Sequence, residues 1–106
     1  MMKQITPTSV IYKICSRAIW ESIRDQDQWA GSLDDQRDGF IHFSCEHQLA
    51  ATVDKHFSGM PDLLALCINV QALGDQLKWE PSRGGELFPH LYGWLPLRAV
   101  TGVREL

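Results

Sequence analysis

A single α+β domain, with two helices packed on a mixed, mostly antiparallel sheet, is the fold class this sequence predicts. Three observations lead there. Short runs with period-two alternation recur along the chain. Two stretches, residues 17–24 and 46–56, carry helical spacing instead. The second half holds strand-like segments joined by short turns with no helix between them, which is how antiparallel sheets are built. At 106 residues and 44% hydrophobic, residues 1–106 are expected to form one domain around one core, without a linker. No internal repeat or low-complexity segment interrupts the pattern.

The first element is "SVIYKICS", where Val10, Tyr12 and Ile14 alternate with Ile11, Lys13 and Cys15. Ser16 is placed to cap a helix that runs to about Arg24, with Ile19 and Ile23 on one face and Trp20 beside them. "DQDQWAGSLDDQRDG" has no clear period and reads as a long acidic loop, either functional, as long loops in compact domains often are, or a solvated surface loop pinned by Trp29 and Leu33. "FIHFS" is the next strand. Residues 46–56 then form the second helix, capped by Ser44, with Leu49, Val53 and Phe57 recurring every four residues. "SGMPD" breaks it. "LLALCINV" is apolar on both faces and predicts a fully buried strand. "LKWE" is a short strand, "PSRGG" a turn, "ELFPHLYG" a strand that sets Glu86, Phe88, His90 and Tyr92 against Leu87, Pro89 and Leu91, and "AVTGVREL" the last strand.

Composition narrows the function classes. A net charge of −3 with scattered Lys and Arg offers no electrostatic footprint for nucleic acid. No apolar run is long enough to span a bilayer, and "MMKQITPTS" lacks a signal-like stretch. Cys15, Cys45 and Cys67 stand 30 and 22 residues apart. An odd count with no CxxC spacing argues against a disulfide framework and for a reduced, cytoplasmic protein.

The residues that could carry chemistry lie on strand-like segments. Phe40, His42 and Ser44 point one way, Ile41, Phe43 and Cys45 the other. Burial accounts for the second row. The first row reads either as polar groups satisfied inside the fold or as a cleft face. Glu80 ends a short strand and is followed by Ser82 and Arg83 in a Gly-rich turn. It reads as a surface ion-pair partner or as a functional carboxylate. His90 and Tyr92 read as an aromatic edge with wet polar tips or as a second cleft wall. A zinc site from His42, Cys45, His47 and His90 is not expected, because the strand-to-helix switch at Ser44 scatters the side chains. Cys45 shares the side of Ile41 and Phe43, which points to burial rather than reactivity. No helix follows "SRGGE", so the usual phosphate site at a helix N-terminus is missing, although Arg83 keeps its capacity for a bidentate anion contact.

"DGFIHFS", "WEPSRGG" and "FPHLYGWLPL.AV" together resemble the small bacterial family called domain of unknown function 952, from "IYKI" to "AVTGV". That family is in turn similar, more distantly, to the ADP-ribosyltransferase superfamily. The resemblance implies an ADP-ribosyltransferase-like fold with three signature strands, and NAD or a related nucleotide as ligand. "IYKI" resembles the first strand, with Lys13 where an Arg or His is usual. "FIHFS" and the helix after it resemble the second. Glu80, with Glu86 in reserve, stands where the third supplies its glutamate. On that basis Glu80 and His42 are the expected catalytic residues, and Lys13, Ser44, Arg83, Glu86, His90 and Tyr92 the expected ligand contacts. Lysine lacks the planar fork of arginine, which shifts weight from an enzyme towards a module that binds a small phosphorylated ligand without turnover. A structural protein, whose polar strand faces only specify packing, is the third reading.

Overall fold

A computed structural model of the protein describes residues 9–106, the side chain of Arg83 excepted. The expectation that the N-terminus carries no signal-like stretch falls on residues 1–8 and lies outside the described residues. The chain runs β1 (Val10–Ser16), α1 (Arg17–Ile23), β2 (Gln28–Trp29), α2 (Leu33–Asp38), β3 (Ile41–His42), a 3₁₀ turn (Glu46–Gln48), α3 (Leu49–His56), β4 (Leu63–Asn69), β5 (Leu77–Pro81), β6 (Leu87–Leu91), β7 (Leu95–Pro96) and β8 (Val100–Glu105). The α+β class and its antiparallel character are as expected. The single mixed sheet is not: the strands form three sheets, β1-β4-β8, β2-β7 and β3-β6-β5, and every pairing among the described residues is antiparallel.

One backbone segment joins the two larger sheets. Ile41 and His42 pair with Leu91 and His90. Two residues on, Ser44 leaves that sheet and exchanges backbone hydrogen bonds with Tyr12 (2.8 and 2.9 Å). The strand expected over "FIHFS" is therefore split between two partners, which sets Lys13 on β1 beside the backbone of His42.

β4 is buried on both faces because it is the central strand of its sheet and is covered on each side. On one side Ile11, Ile41, Leu66, Ile68, Leu91 and Leu95 form the main core, each at most 1% exposed. On the other, Leu49 and Val53 of α3 and Phe57 just after it cover Ile14, Leu63 and Ala65. Each large aliphatic side chain so buried contributes about 1.5–3 kcal/mol relative to its exposed state.

Three expectations need correction. The acidic stretch is not a loop. Ser32 and Asp35 form a capping box (Asp35 N to Ser32 Oγ 3.1 Å; Ser32 N to Asp35 Oδ2 2.9 Å), and Gly39 closes α2 in the left-handed conformation at φ 89°. Among the described residues there are thus three α-helices, not two. Leu33 does not pin the segment: it is 84% exposed, and Trp29 alone packs on the core. Ser44 does not cap the second helix, because its hydroxyl lies 3.1 Å from Thr52 Oγ1, and the backbone N–H of Cys45 is met instead by Gln48 Oε1 at 2.8 Å. The α1 expectation holds better. Ser16 Oγ accepts from Ile19 N, and Ile23 is buried, but Ile19 is largely exposed. On β6, Phe88, Pro89, His90 and Leu91 are all buried rather than alternating, as suits a central strand.

Gly31 precedes α2 with φ 96°, and a Cβ there would meet Asp35 Cβ and Oδ2 at 2.8 Å. Both the left-handed backbone and the contact forbid a side chain. Gly31→Ala is expected to lower unfolding stability by more than about 1 kcal/mol, measured by urea denaturation. Gly39→Ala, where nothing lies within 4 Å, isolates the backbone effect alone.

Candidate functional site

The capping box that starts α2 turns the Asp35 side chain inward, where it is fully buried. A buried carboxylate is costly unless every lone pair finds a donor. Here four donors meet it. Lys13 Nζ (2.7 Å) and Ser32 N (2.9 Å) reach Oδ2, and His42 Nδ1 (2.6 Å) and His42 N (3.2 Å) reach Oδ1. Burial pushes the Asp35 carboxyl up, but the His42 hydrogen bond and the Lys13 charge outweigh it and hold the group well below the usual carboxylate range. Lys13 is itself buried and also donates to the His42 carbonyl at 3.0 Å.

An ionised carboxylate only accepts, so His42 Nδ1 carries the proton in that contact. The other ring nitrogen, Nε2, lies 3.2 Å from Asp38 Oδ2. Across the β3–β6 ladder His90 is held in the same manner: Nδ1 meets Glu80 Oε1 at 2.7 Å, and Tyr92 OH donates to Glu80 at 2.8 Å. Hydrogen bonds from His90 and Tyr92 hold the Glu80 carboxyl below its ordinary value, and the same contact raises Tyr92. Nε2 of His90 has no hydrogen-bond partner among the described residues. The two imidazoles stand 5.6 Å apart, edge to face, and Phe40 stacks on His90 at 4.2 Å and tilts against His42 at 4.6 Å.

Both rings line a cavity of about 240 Å³, at the small end of the roughly 300–1,000 Å³ typical of ligand pockets. β1 supplies Lys13, α2 supplies Asp35 and Asp38, the segment after Gly39 supplies His42 and Ser44, and α3 supplies Thr52 and His56. Phe43, Phe57 and Phe88 give it apolar walls.

Of the residues singled out from sequence, Lys13, His42, Ser44 and His90 are thus brought together on one cavity. Glu80 and Tyr92 are not on it; they stand behind His90. Glu86 is elsewhere, bound to His47 and to Gln48 Nε2 (2.7 Å). The side chain of Arg83 lies outside the described ones. Sequence reasoning missed Asp35, Asp38, Thr52 and His56. The Ser-x-x-Asp box ending in Gly39 was the available signal for Asp35. Thr52 and His56, one helical turn apart, were the polar companions of the apolar stripe on α3. No disulfide joins Cys15, Cys45 and Cys67; Cys15 and Cys45 are buried, and burial pushes the Cys15 thiol up to about 11. Among the described residues no cluster of three or more His, Cys, Asp or Glu could hold a metal ion, and no helix is long and apolar enough to cross a membrane.

The geometry defines an α+β domain with two carboxylate-oriented histidines on one cavity. The family described as "Protein of unknown function (DUF952)" matches residues 14–103, and the chain belongs to that family. Among solved structures it is similar to protein CC0527 from Caulobacter crescentus. The crystal structure of that protein is 45% identical, with a TM-score of 0.85 over 92% of this chain and 85% of the other. Its solution NMR structure is 44% identical, with a TM-score of 0.80 over 93% and 85%. No curated protein matches the sequence.

Removing the Asp35 charge leaves Lys13 buried without its counter-ion, so Asp35→Asn is expected to cost about 3–5 kcal/mol of stability. The pH dependence follows from the lowered folded value. The stabilisation is fully present above the unfolded carboxylate value of about 3.9 and is lost as pH falls towards the folded one. Urea denaturation from pH 7 downwards is expected to show that acid loss in the parent protein and a flatter profile in Asp35→Asn.

Proposed function

We propose that this cavity binds a small phosphorylated, nucleotide-like ligand and that His42 and His90 exchange protons with it. The observation that carries this reading is the pair of strand-borne imidazoles, each with Nδ1 fixed by a carboxylate, on the wall of one cavity. Fixing Nδ1 orients each ring and turns Nε2 of His90 towards whatever enters, while Nε2 of His42 faces Asp38 at 3.2 Å, the arrangement required of a positioned acid or base. Lys13, Ser44 and Thr52 supply polar contacts, and the phenylalanine walls suit a planar base or ring. The volume matches part of a nucleotide, so the rest of a larger ligand such as NAD would project outside. The odd number and wide spacing of the cysteines support a reducing, cytoplasmic setting.

ADP-ribosyltransferase-like glycosyl transfer from NAD is the second reading. It is favoured by one observation: Lys13 from the first strand and His42 and Ser44 from the second face the same cavity, as the resemblance to that superfamily implies. Cleaving the nicotinamide–ribose bond calls for a carboxylate against the developing positive charge. Glu80 is engaged behind His90, so its part would be to orient that ring, not to meet the ribose.

Thermal unfolding with AMP, ADP-ribose or NAD tests the binding. A ligand at about 100 times its dissociation constant adds about 2.7 kcal/mol of stability, and His90→Gln is expected to weaken that binding at least about tenfold. If none of the three nucleotides shifts the transition, the nucleotide reading falls. Nicotinamide release separates the two chemistries. NAD that binds without turnover leaves a binding site and removes the glycosyl-transfer reading.

A further inference from the structure

We infer that the substrate class of this site is a ribose phosphodiester with a free neighbouring hydroxyl, which the two histidines convert to a cyclic phosphate. The inference rests on the nucleotide-binding reading above and narrows it. Two imidazoles side by side on one cavity wall, 5.6 Å between ring centres, suit a reaction that needs one proton removed and another delivered in the same displacement. Attack by a ribose 2′-hydroxyl on the adjacent phosphorus is such a reaction, because the entering and departing oxygens lie roughly in line on either side of phosphorus. Glycosyl transfer needs instead a carboxylate facing a cation; Glu80 is committed to His90 and Tyr92, and of the carboxylates at the cavity Asp34 pairs with Arg37, Asp35 with Lys13 and His42, and Asp38 with His42.

The two rings are not equivalent. His90 donates from Nδ1 to Glu80 and keeps Nε2 without a partner among the described residues, so it is the ring with a lone pair to offer. His42 has a carboxylate at each nitrogen, Asp35 at 2.6 Å and Asp38 at 3.2 Å, so it is the ring whose Nε2 faces an acceptor and is placed to donate. The Asp38 contact is longer than the roughly 2.7–2.9 Å of a strong charge-assisted bond and lies on a partly exposed side chain, so a departing oxygen can take its place. In the reaction His90 Nε2 takes the proton of the 2′-hydroxyl, and that oxygen forms a bond to phosphorus. The bond from phosphorus to the 5′-oxygen of the next group breaks, and His42 Nε2 protonates the oxygen that leaves. The products are a 2′,3′-cyclic phosphate and a free 5′-hydroxyl, with no co-reactant. Lys13 has three ammonium hydrogens. Asp35 and the His42 carbonyl use two, and the third is available to a non-bridging phosphate oxygen. The net charge of −3 and the acidic residues Asp34 and Asp38 at the cavity favour a dinucleotide-sized substrate over a long polyanion.

The test uses the whole protein with the ribodinucleoside monophosphate uridylyl-adenosine and its 2′-deoxy counterpart. The expected result is a cyclic uridine phosphate from the first, with the deoxy compound bound but uncleaved. His42→Gln and His90→Gln are each expected to slow cleavage by about 100-fold or more while unfolding cooperatively. Should His90→Gln fail to fold, His42→Gln, on a half-exposed ring, carries the comparison alone. Cleavage at the parent rate in the folded variants, or binding of both compounds without cleavage of either, overturns the inference and leaves the nucleotide reading standing. Binding of neither overturns the inference, and it overturns the nucleotide reading as well only when AMP, ADP-ribose and NAD also leave the unfolding transition unmoved.

Discussion

The carboxylate of Asp35 is the constraint on which the site depends. It is fully buried, and a buried charge survives only where donors surround it. Its partners come from three separate parts of the chain: Lys13 on β1, Ser32 at the start of α2, and His42 on β3. One side chain therefore ties the first sheet to the α2 segment and to the strand carrying the functional histidine. Apolar residues in place of both Asp35 and Lys13 could fill that space at similar stability. What the carboxylate adds is direction, since it fixes the tautomer and the plane of the His42 ring.

The sheet arrangement makes this possible. β3 is only two residues long because the chain must leave β6 after His42 in time to meet Tyr12 through Ser44. That switch brings the Lys13 ammonium against the His42 carbonyl. It also leaves a gap between the two sheets, floored by Lys13 and the imidazoles and walled by α3. His90 lies opposite His42 in register, so the pairing of the rings follows from the ladder itself. Glu80 stands directly across the ladder from Phe88 and reaches His90 from behind, which gives the second ring its own carboxylate without placing that carboxylate in the cavity.

Much of the scaffold was legible in the sequence. "LLALCINV" announced a doubly covered strand, the Leu49, Val53 and Phe57 stripe announced α3, and Ser16 announced the start of α1. The face alternation of "FIHFS" set His42 and Ser44 apart from Ile41, whereas Phe43 of the expected core row also lines the cavity. The rest was hidden for physical reasons. α2 is only six residues long and mostly polar, so it lacks an apolar period, and its evidence lay in its caps. Lys13 stood in a row with Ile11 and Cys15, which marks a buried cation, but pairing it with Asp35 needs tertiary contact that no local pattern encodes. Glu80 was visible as an isolated carboxylate, whereas its use depends on the β5–β6 register. Parallel and antiparallel neighbours are not distinguished by alternation, so three small sheets read as one.

The orientation of the two rings can be observed without knowing any ligand. Two-bond proton–nitrogen NMR correlations on histidine-labelled protein report which imidazole nitrogen carries the proton. The geometry predicts a proton on Nδ1 of both His42 and His90, with Nε2 unprotonated in the neutral form of His90. A neutral His90 with its proton on Nε2, or a His42 whose Nδ1 is bare, would contradict the claim that Asp35 and Glu80 hold these rings for chemistry at the cavity.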